Sequence, residues 1–211
     1  MKSKAQELAE SLFRLKQDLS VYEVIAANSD RLRDCEYNKF LSYVYWRSQS
    51  SIIVRLCSIY ETQIEKDKAY SLSSISGIRK SIINGDLEIS ELILTEFLKL
   101  YPCDDPTIID RTKQFLHSTK QFGFQNKQVI KELKKYRDTQ LAHHETGIEI
   151  KSLPSFAEMD SLYKFAYLFC KVVVSTEGLL RFTDDRILMD TKKTLGKLID
   201  ADFMELESIL K

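Results

Sequence analysis

The residues of this 211-residue chain best suited to chemistry lie together past its middle, in Lys134-Lys135-Tyr136-Arg137-Asp138-Thr139-Gln140-Leu141-Ala142-His143-His144-Glu145. Two of the three histidines, an arginine and two carboxylates fall within nine residues there. Histidine titrates near neutrality and suits proton transfer, while a guanidinium keeps its charge and pairs with phosphate. RNA cleavage without a metal needs a base for the 2′-hydroxyl, a cation for charge growing on the phosphate, and an acid for the leaving 5′-oxygen. His143 and Arg137 meet the first two needs. Lys131, Lys134 and Lys135 add local positive charge, and Tyr136 offers a face on which a base can stack.

On an α-helix advancing about 100° per residue, Ile130, Leu133, Arg137, Leu141 and His144 share one face, and His143 falls beside Tyr136 on a flank. Arg137 thus interrupts an apolar stripe and needs a carboxylate, a carbonyl or a bound anion beside it. Three and four residues away stand Leu133, Lys134, Gln140 and Leu141, none acidic, so the partner is expected from outside this helix. The histidines fall where the helix is expected to end, beside carbonyls that favour a protonated imidazole. Taken alone, these residues leave two readings open: a structural helix-end network, or a phosphoryl-transfer site. Lysines on a helix are ordinarily its solvated face, and a tyrosine at this spacing is ordinarily core. His117 has no matching partner in the sequence and reads as a surface or core residue without a chemical role.

Helices must position these groups. Six glycines and three prolines are few for this length and argue against hairpins and Gly-lined phosphate loops. The expectation is an all-α bundle with additional short helices, one helical domain over residues 1–211. Thirty-one basic and thirty-one acidic residues cancel, so no overall field draws the chain to nucleic acid or an anionic membrane, and any RNA contact must come from a local patch. Cys35, Cys57, Cys103 and Cys170 form no CxxC or Cys/His pair with metal-ligand spacing and read as plain, mostly buried thiols. No metal and no cofactor is expected. The first residues mix charge with apolar side chains at helical spacing, unlike a signal peptide, and no run of about 18 apolar residues spans a bilayer. A soluble, cytoplasmic protein is the expectation.

Leu8, Leu12, Leu15, Leu19, Tyr22 and Ala26 mark one stripe of a first long helix, interrupted at Ser29-Asp30. A second runs from about Tyr37 to Glu61, its apolar side broken only by Ser48. A surface connection over 62–74 leads to short helices over 75–83, ended by Asn84-Gly85-Asp86, and over 89–100. A further helix is expected from Asp105-Pro106 to about Lys120, with a break at Phe122-Gly123-Phe124. The motif helix then starts at Asn126 as N-cap. Residues 145–154 read as a loop, 155–182 as a long central helix, and 184–211 as one or two amphipathic helices with Gly196 the weak point.

The order Arg137-Asp138, four residues, then His143 resembles the Arg-polar-x4-His motif of HEPN proteins, helical RNases and nucleotide-binding modules of prokaryotic defence and toxin systems. Tyr136-Arg137-Asp138-x-x-Leu141-Ala142-His143 resembles in particular the abortive-infection branch. Trp46-Arg47 and Ile52-Ile53-Val54-Arg55-Leu56 are similar in character to that branch's upstream helix, although Trp46 and Arg47 by themselves read as packing and surface charge. The resemblance implies a homodimer whose motif helices face each other, with Arg137 and His143 of both subunits lining one cleft. It implies metal-independent cleavage of an RNA substrate leaving a 2′,3′-cyclic phosphate, with Arg137 on the scissile phosphate, His143 as base or acid and Asp138 orienting a neighbour. An antitoxin or regulatory partner belongs to the same expectation. His143 has the family spacing and His144 the ideal-helix face, so which ring acts stays open. Some HEPN proteins keep the fold without cleaving RNA, which leaves a non-catalytic dimerisation or partner-binding module as the alternative.

Overall fold

The computed structural model describes residues 3–33, 37–62, 73–142, 153–174 and Lys193, and the regular structure among them is entirely helical. Helix α1 (Lys4–Ala27) opens on a reciprocal cap in which Ser3 Oγ accepts from Gln6 N and Gln6 Oε1 accepts from Ser3 N. Leu8, Leu12, Leu15 and Leu19 are buried as their spacing predicts, but the stripe passes on to Val24 and Ile25 while Ala26 is exposed. Ile25 instead packs with Leu32 and Leu41 in a second, smaller cluster, so neighbours from the short helix and the long helix that follow decide which side of the last turn is buried. Asn28 ends the helix, and the short α2 (Ser29–Leu32) follows, so the interruption falls where expected.

Helix α3 (Asn38–Ile59) lies along α1. Its buried face is Leu41, Ile52, Ile53, Leu56 and Ile59, with Ser48 and Gln49 as buried polar residues. Polar links fix the pair in register. Tyr22 and Tyr45 stack with centroids 4.6 Å apart and their hydroxyls 2.8 Å apart. Asp18 accepts from Ser51 Oγ at 2.6 Å and from Arg55 Nε at 3.2 Å.

Helix α4 (Ile75–Ile83) stops at Gly85, whose φ of +78° only glycine adopts readily. Gly85 N donates to Ile82 O and Asp86 N to Ser81 O, a paired closure that satisfies carbonyls the helix would leave bare. Helix α5 (Glu91–Leu100) starts two residues later than its sequence pattern suggests, after Ser90, whose backbone N donates to Val172 O at 2.8 Å.

Helix α6 (Arg111–Gln125) departs from expectation at both ends. Asp105 does not open it: its carboxylate accepts from Thr107 N and Thr107 Oγ1, which commits the segment to a turn. Asp110 is the cap, accepting from Lys113 N at 2.7 Å. Nor does Phe122-Gly123-Phe124 break the helix. Phe122 stacks on Phe165 with centroids 3.7 Å apart, and this packing carries the helix through the glycine. Asn126 separates α6 from α7 (Lys127–Tyr136), but its side chain does not cap α7; it donates back to Phe122 O at 3.0 Å.

The chain continues from α7 into a wider π-helical turn, Arg137–Ala142. Helix α8 (Phe156–Val173) starts at a reciprocal Ser155–Glu158 cap and ends at Val174, which is extended. Of the long helix expected over 155–182, the part beyond Val174 lies outside the described residues, as do residues 184–211 but for Lys193. α8 is the central element, packed on α1, α3 and α5. Phe165 and Phe169 are fully buried among Phe97, Phe115 and Phe122, largely edge-on or offset, the arrangement aromatic quadrupoles prefer. Tyr60, just past α3, donates its hydroxyl to Leu162 O at 2.7 Å, which locks the end of α3 to α8. Among the described residues no helix is long and apolar enough to cross a membrane.

A Cβ added at Gly123 would meet nothing within 4 Å. Gly123→Ala should therefore raise stability by about 0.5–1 kcal/mol through helix propensity alone. Urea unfolding measures this, and a destabilised variant would show that the position needs a conformation closed to alanine.

Candidate functional site

The motif residues from Lys134 to Ala142 stand on the last turns of α7 and on the π turn that follows, and both pack against the end of α3. Leu133 is buried and anchors α7, with Val129, Ile130, Tyr136 and Leu141 partly buried against the same core. Lys134 and Arg137, one helical turn apart, project toward Glu61. Lys134 Nζ donates to Glu61 Oε1 at 2.9 Å, and Arg137 Nη1 lies 3.8 Å from Glu61 Oε2, an ion pair too long for a hydrogen bond. The expected partner from outside the helix is therefore Glu61.

A second partner lies closer. Arg137 Nε donates to Asp138 Oδ1 at 2.7 Å. Counting positions three and four residues away misses this contact, because a long guanidinium can fold back onto the neighbouring carboxylate. That hydrogen bond, ahead of the opposing cost of burial, raises the Arg137 pKa above its ordinary value and keeps the cation charged. Arg137 is about 30% exposed. Its Nη2 has no protein partner among the described residues.

The other motif residues divide plainly. Lys135 is exposed, while the Lys134 ammonium is engaged by Glu61. The Tyr136 ring is half-buried against the core. His143 and His144 lie outside the described residues. Backbone bonding from residue i to i+5 across the π turn changes the angular step, so the α-helical count that gave His144 the face of Arg137 does not carry through residues 137–142. Such turns occur frequently at functional sites. Of the upstream residues, Trp46 is largely exposed and Arg55 is spent on Asp18 and Ser51.

Two groups escaped the sequence pattern. Glu61 carried no signal, because only the packing of α3 on α7 brings it to the motif. His117 is not solitary: its Nε2 lies 2.7 Å from Asp104 Oδ1, and Cys103 adds a third donor atom, all within 4.8 Å of one another. Among the described residues, this cluster is the one able to hold a divalent ion. Without one, the His117–Asp104 contact ties the α5–α6 connection to α6.

Cys57, on the buried face of α3, has its thiol pushed up to about 11 by burial, although Arg137 and Lys134 pull it down. Burial pushes Cys170 to about 12. No family model, curated protein or solved structure matches the chain.

At pH 8 a thiol titrating near 11 is thiolate in only roughly one molecule per thousand. Cys57 and Cys170 should thus resist iodoacetamide in the native protein and react once urea unfolds it, as peptide mass spectrometry would show. Fast native labelling of Cys57 would mean that the packing of α3 on α7 described above is wrong.

Proposed function

We propose that this chain is a metal-independent endoribonuclease of the HEPN kind, acting as a cytoplasmic homodimer in phage defence or as a toxin. The observation that carries this is the state of Arg137: Asp138 orients the guanidinium through Nε, Glu61 supports it from α3, and Nη2 has no partner among the described residues. A permanently charged, pre-oriented donor fork is what phosphate recognition requires. The assignment of Asp138 as the residue that orients a neighbour, implied by the family resemblance, agrees with its hydrogen bond to Arg137. The resemblance itself rests on the Arg137-to-His143 spacing and the helical context.

In this mechanism the Arg137 fork binds the non-bridging oxygens of the scissile phosphate. An imidazole, His143 or His144, takes the proton of the 2′-hydroxyl, and the resulting oxygen attacks the adjacent phosphorus. The P–O5′ bond breaks, a protonated imidazole gives its proton to the departing oxygen, and the products carry a 2′,3′-cyclic phosphate and a 5′-hydroxyl. Two copies with facing motif helices supply two arginines and two histidine pairs, one for each proton transfer. Lys135, exposed beside the motif, would hold a flanking phosphate. Lys134 and Tyr136 would contribute to RNA binding, Lys134 by exchanging Glu61 for phosphate.

The competing function, a non-catalytic dimerisation or partner-binding module, draws on one observation: two carboxylates already compensate Arg137 without any phosphate. RNA incubated in EDTA with wild-type protein, Arg137→Ala and His143→Ala distinguishes the two. The ribonuclease mechanism predicts cyclic-phosphate ends and a loss of at least about 100-fold for Arg137→Ala, the scale of removing a transition-state charge donor. Mass measured by light scattering should report a dimer in all three proteins. Cleavage that needs added metal or survives both substitutions sinks this mechanism, and a dimer lost in Arg137→Ala with no RNA product from wild type favours the interaction module.

A further inference from the structure

A cavity of about 450 Å³ opens between the end of α3 and helices α4, α6, α7 and α8, next to the Arg137 network but not lined by Arg137. Its size suits a small organic ligand. Tyr60, Ile75, Ile130 and Phe165 supply apolar wall. The Tyr60 hydroxyl is turned away to Leu162 O, so that residue offers the cavity its ring.

The charged lining is one-sided. Among the described residues, Arg79, Lys120, Lys127, Lys131 and Lys134 stand against a single carboxylate, Glu61. Lys134 is paired with Glu61, but Lys120, Lys127 and Lys131 have no carboxylate within ion-pair distance among the described residues. Arg79 is half-buried and also has no carboxylate partner among the described residues. One of its nitrogens donates to Leu116 O at 3.1 Å, and its Nε is buried without any partner. A partly desolvated guanidinium without a carboxylate is incompletely compensated, and an anion against the part of Arg79 that lines the cavity would offset that cost. Burial holds the Arg79 pKa below its ordinary value, whereas the bond to Asp138 raises that of Arg137.

From this juxtaposition we infer a binding site for a small organic phosphate monoester: the phosphate at Arg79 and the lysines, an apolar or aromatic body against Tyr60, Ile75, Ile130 and Phe165. Four cations in excess of the one carboxylate favour a dianion over a monoanion. A bare inorganic anion would leave the apolar wall wet, and a neutral ring would leave Arg79 unpaired. A cavity of this volume with an apolar wall beside the cations fits a small molecule better than a length of RNA, and the site stands whether or not Arg137 serves cleavage. Lys134 joins the two regions, since a phosphate that drew its ammonium from Glu61 would also alter the support of Arg137.

Calorimetric titration of the full chain with 1-naphthyl phosphate tests the site, with inorganic phosphate, 1-naphthalenemethanol and a uridine hexanucleotide as parallel arms. Saturable one-site binding is expected for the naphthyl ester. Binding should weaken about tenfold or more for inorganic phosphate, for Arg79→Met and for Lys131→Glu, the loss of one charged hydrogen-bonding partner. It should be undetectable for the alcohol. Lys131 is exposed, so Lys131→Glu decides the matter if circular dichroism shows that Arg79→Met does not fold. The inference is overturned if wild type does not bind the ester at millimolar concentration, or if the folded pocket variants bind it as wild type does. Equal affinity for inorganic phosphate removes the apolar subsite, and Arg79-dependent binding of the hexanucleotide alone would make the cavity an RNA contact instead.

Discussion

One carboxylate, Glu61, sets the geometry on which the motif depends. It stands two residues past the end of α3 and draws both Lys134 and Arg137, one turn apart on α7 and the π turn, toward itself. Its own position is fixed from behind: Tyr60 is buried and hydrogen-bonded to Leu162 O, so the backbone that carries Glu61 is pinned to the central helix α8. Core packing thereby becomes site geometry. The aromatic cluster around Phe165 holds α8, α8 holds the end of α3, and the end of α3 holds the cationic edge of α7.

The charge pattern makes sense at this scale and not at the scale of the chain. Acidic and basic residues balance over the whole sequence, yet α7 presents Lys127, Lys131 and Lys134 along one side, at spacings of four and three, facing a cavity with a single acid among the described residues. Arg137 continues the series beyond the cavity, where Asp138 turns its guanidinium. Glu61 thus sits at the boundary of two anion-seeking regions, one walled by apolar side chains and one open to solvent. Its two cations are each about three-quarters buried or slightly less, deep enough for the pairing to resist screening better than a surface ion pair does.

Much of this was legible in the sequence. The helical class, the break near Ser29, the Asn84-Gly85 stop and the central place of α8 follow from periodicity, turn chemistry and a dense apolar run. The errors fall where a local signal met a stronger competitor. Pro106 looked like a helix start, but Asp105 spends its carboxylate on a turn with Thr107; Gly123 looked like a break, but the Phe122–Phe165 stack holds the helix together. Tertiary neighbours left no local trace at all. Glu61 and Lys134 are 73 positions apart, and Cys103, Asp104 and His117 share no ligand-like spacing. The lysine stripe of α7 was visible in the sequence, but the unpartnered Arg79 across from it was not.

The central claim is that Glu61 fastens the motif to α3, and a double-mutant cycle on Glu61→Gln and Lys134→Met measures that fastening directly. Urea unfolding of wild type, both single variants and the double variant should yield a coupling of about 1 kcal/mol, near the upper end for partly exposed pairs, decreasing as salt is added. A coupling indistinguishable from zero at low salt would mean that Glu61 does not hold Lys134, and the positioning of Arg137 from α3 would fall with it.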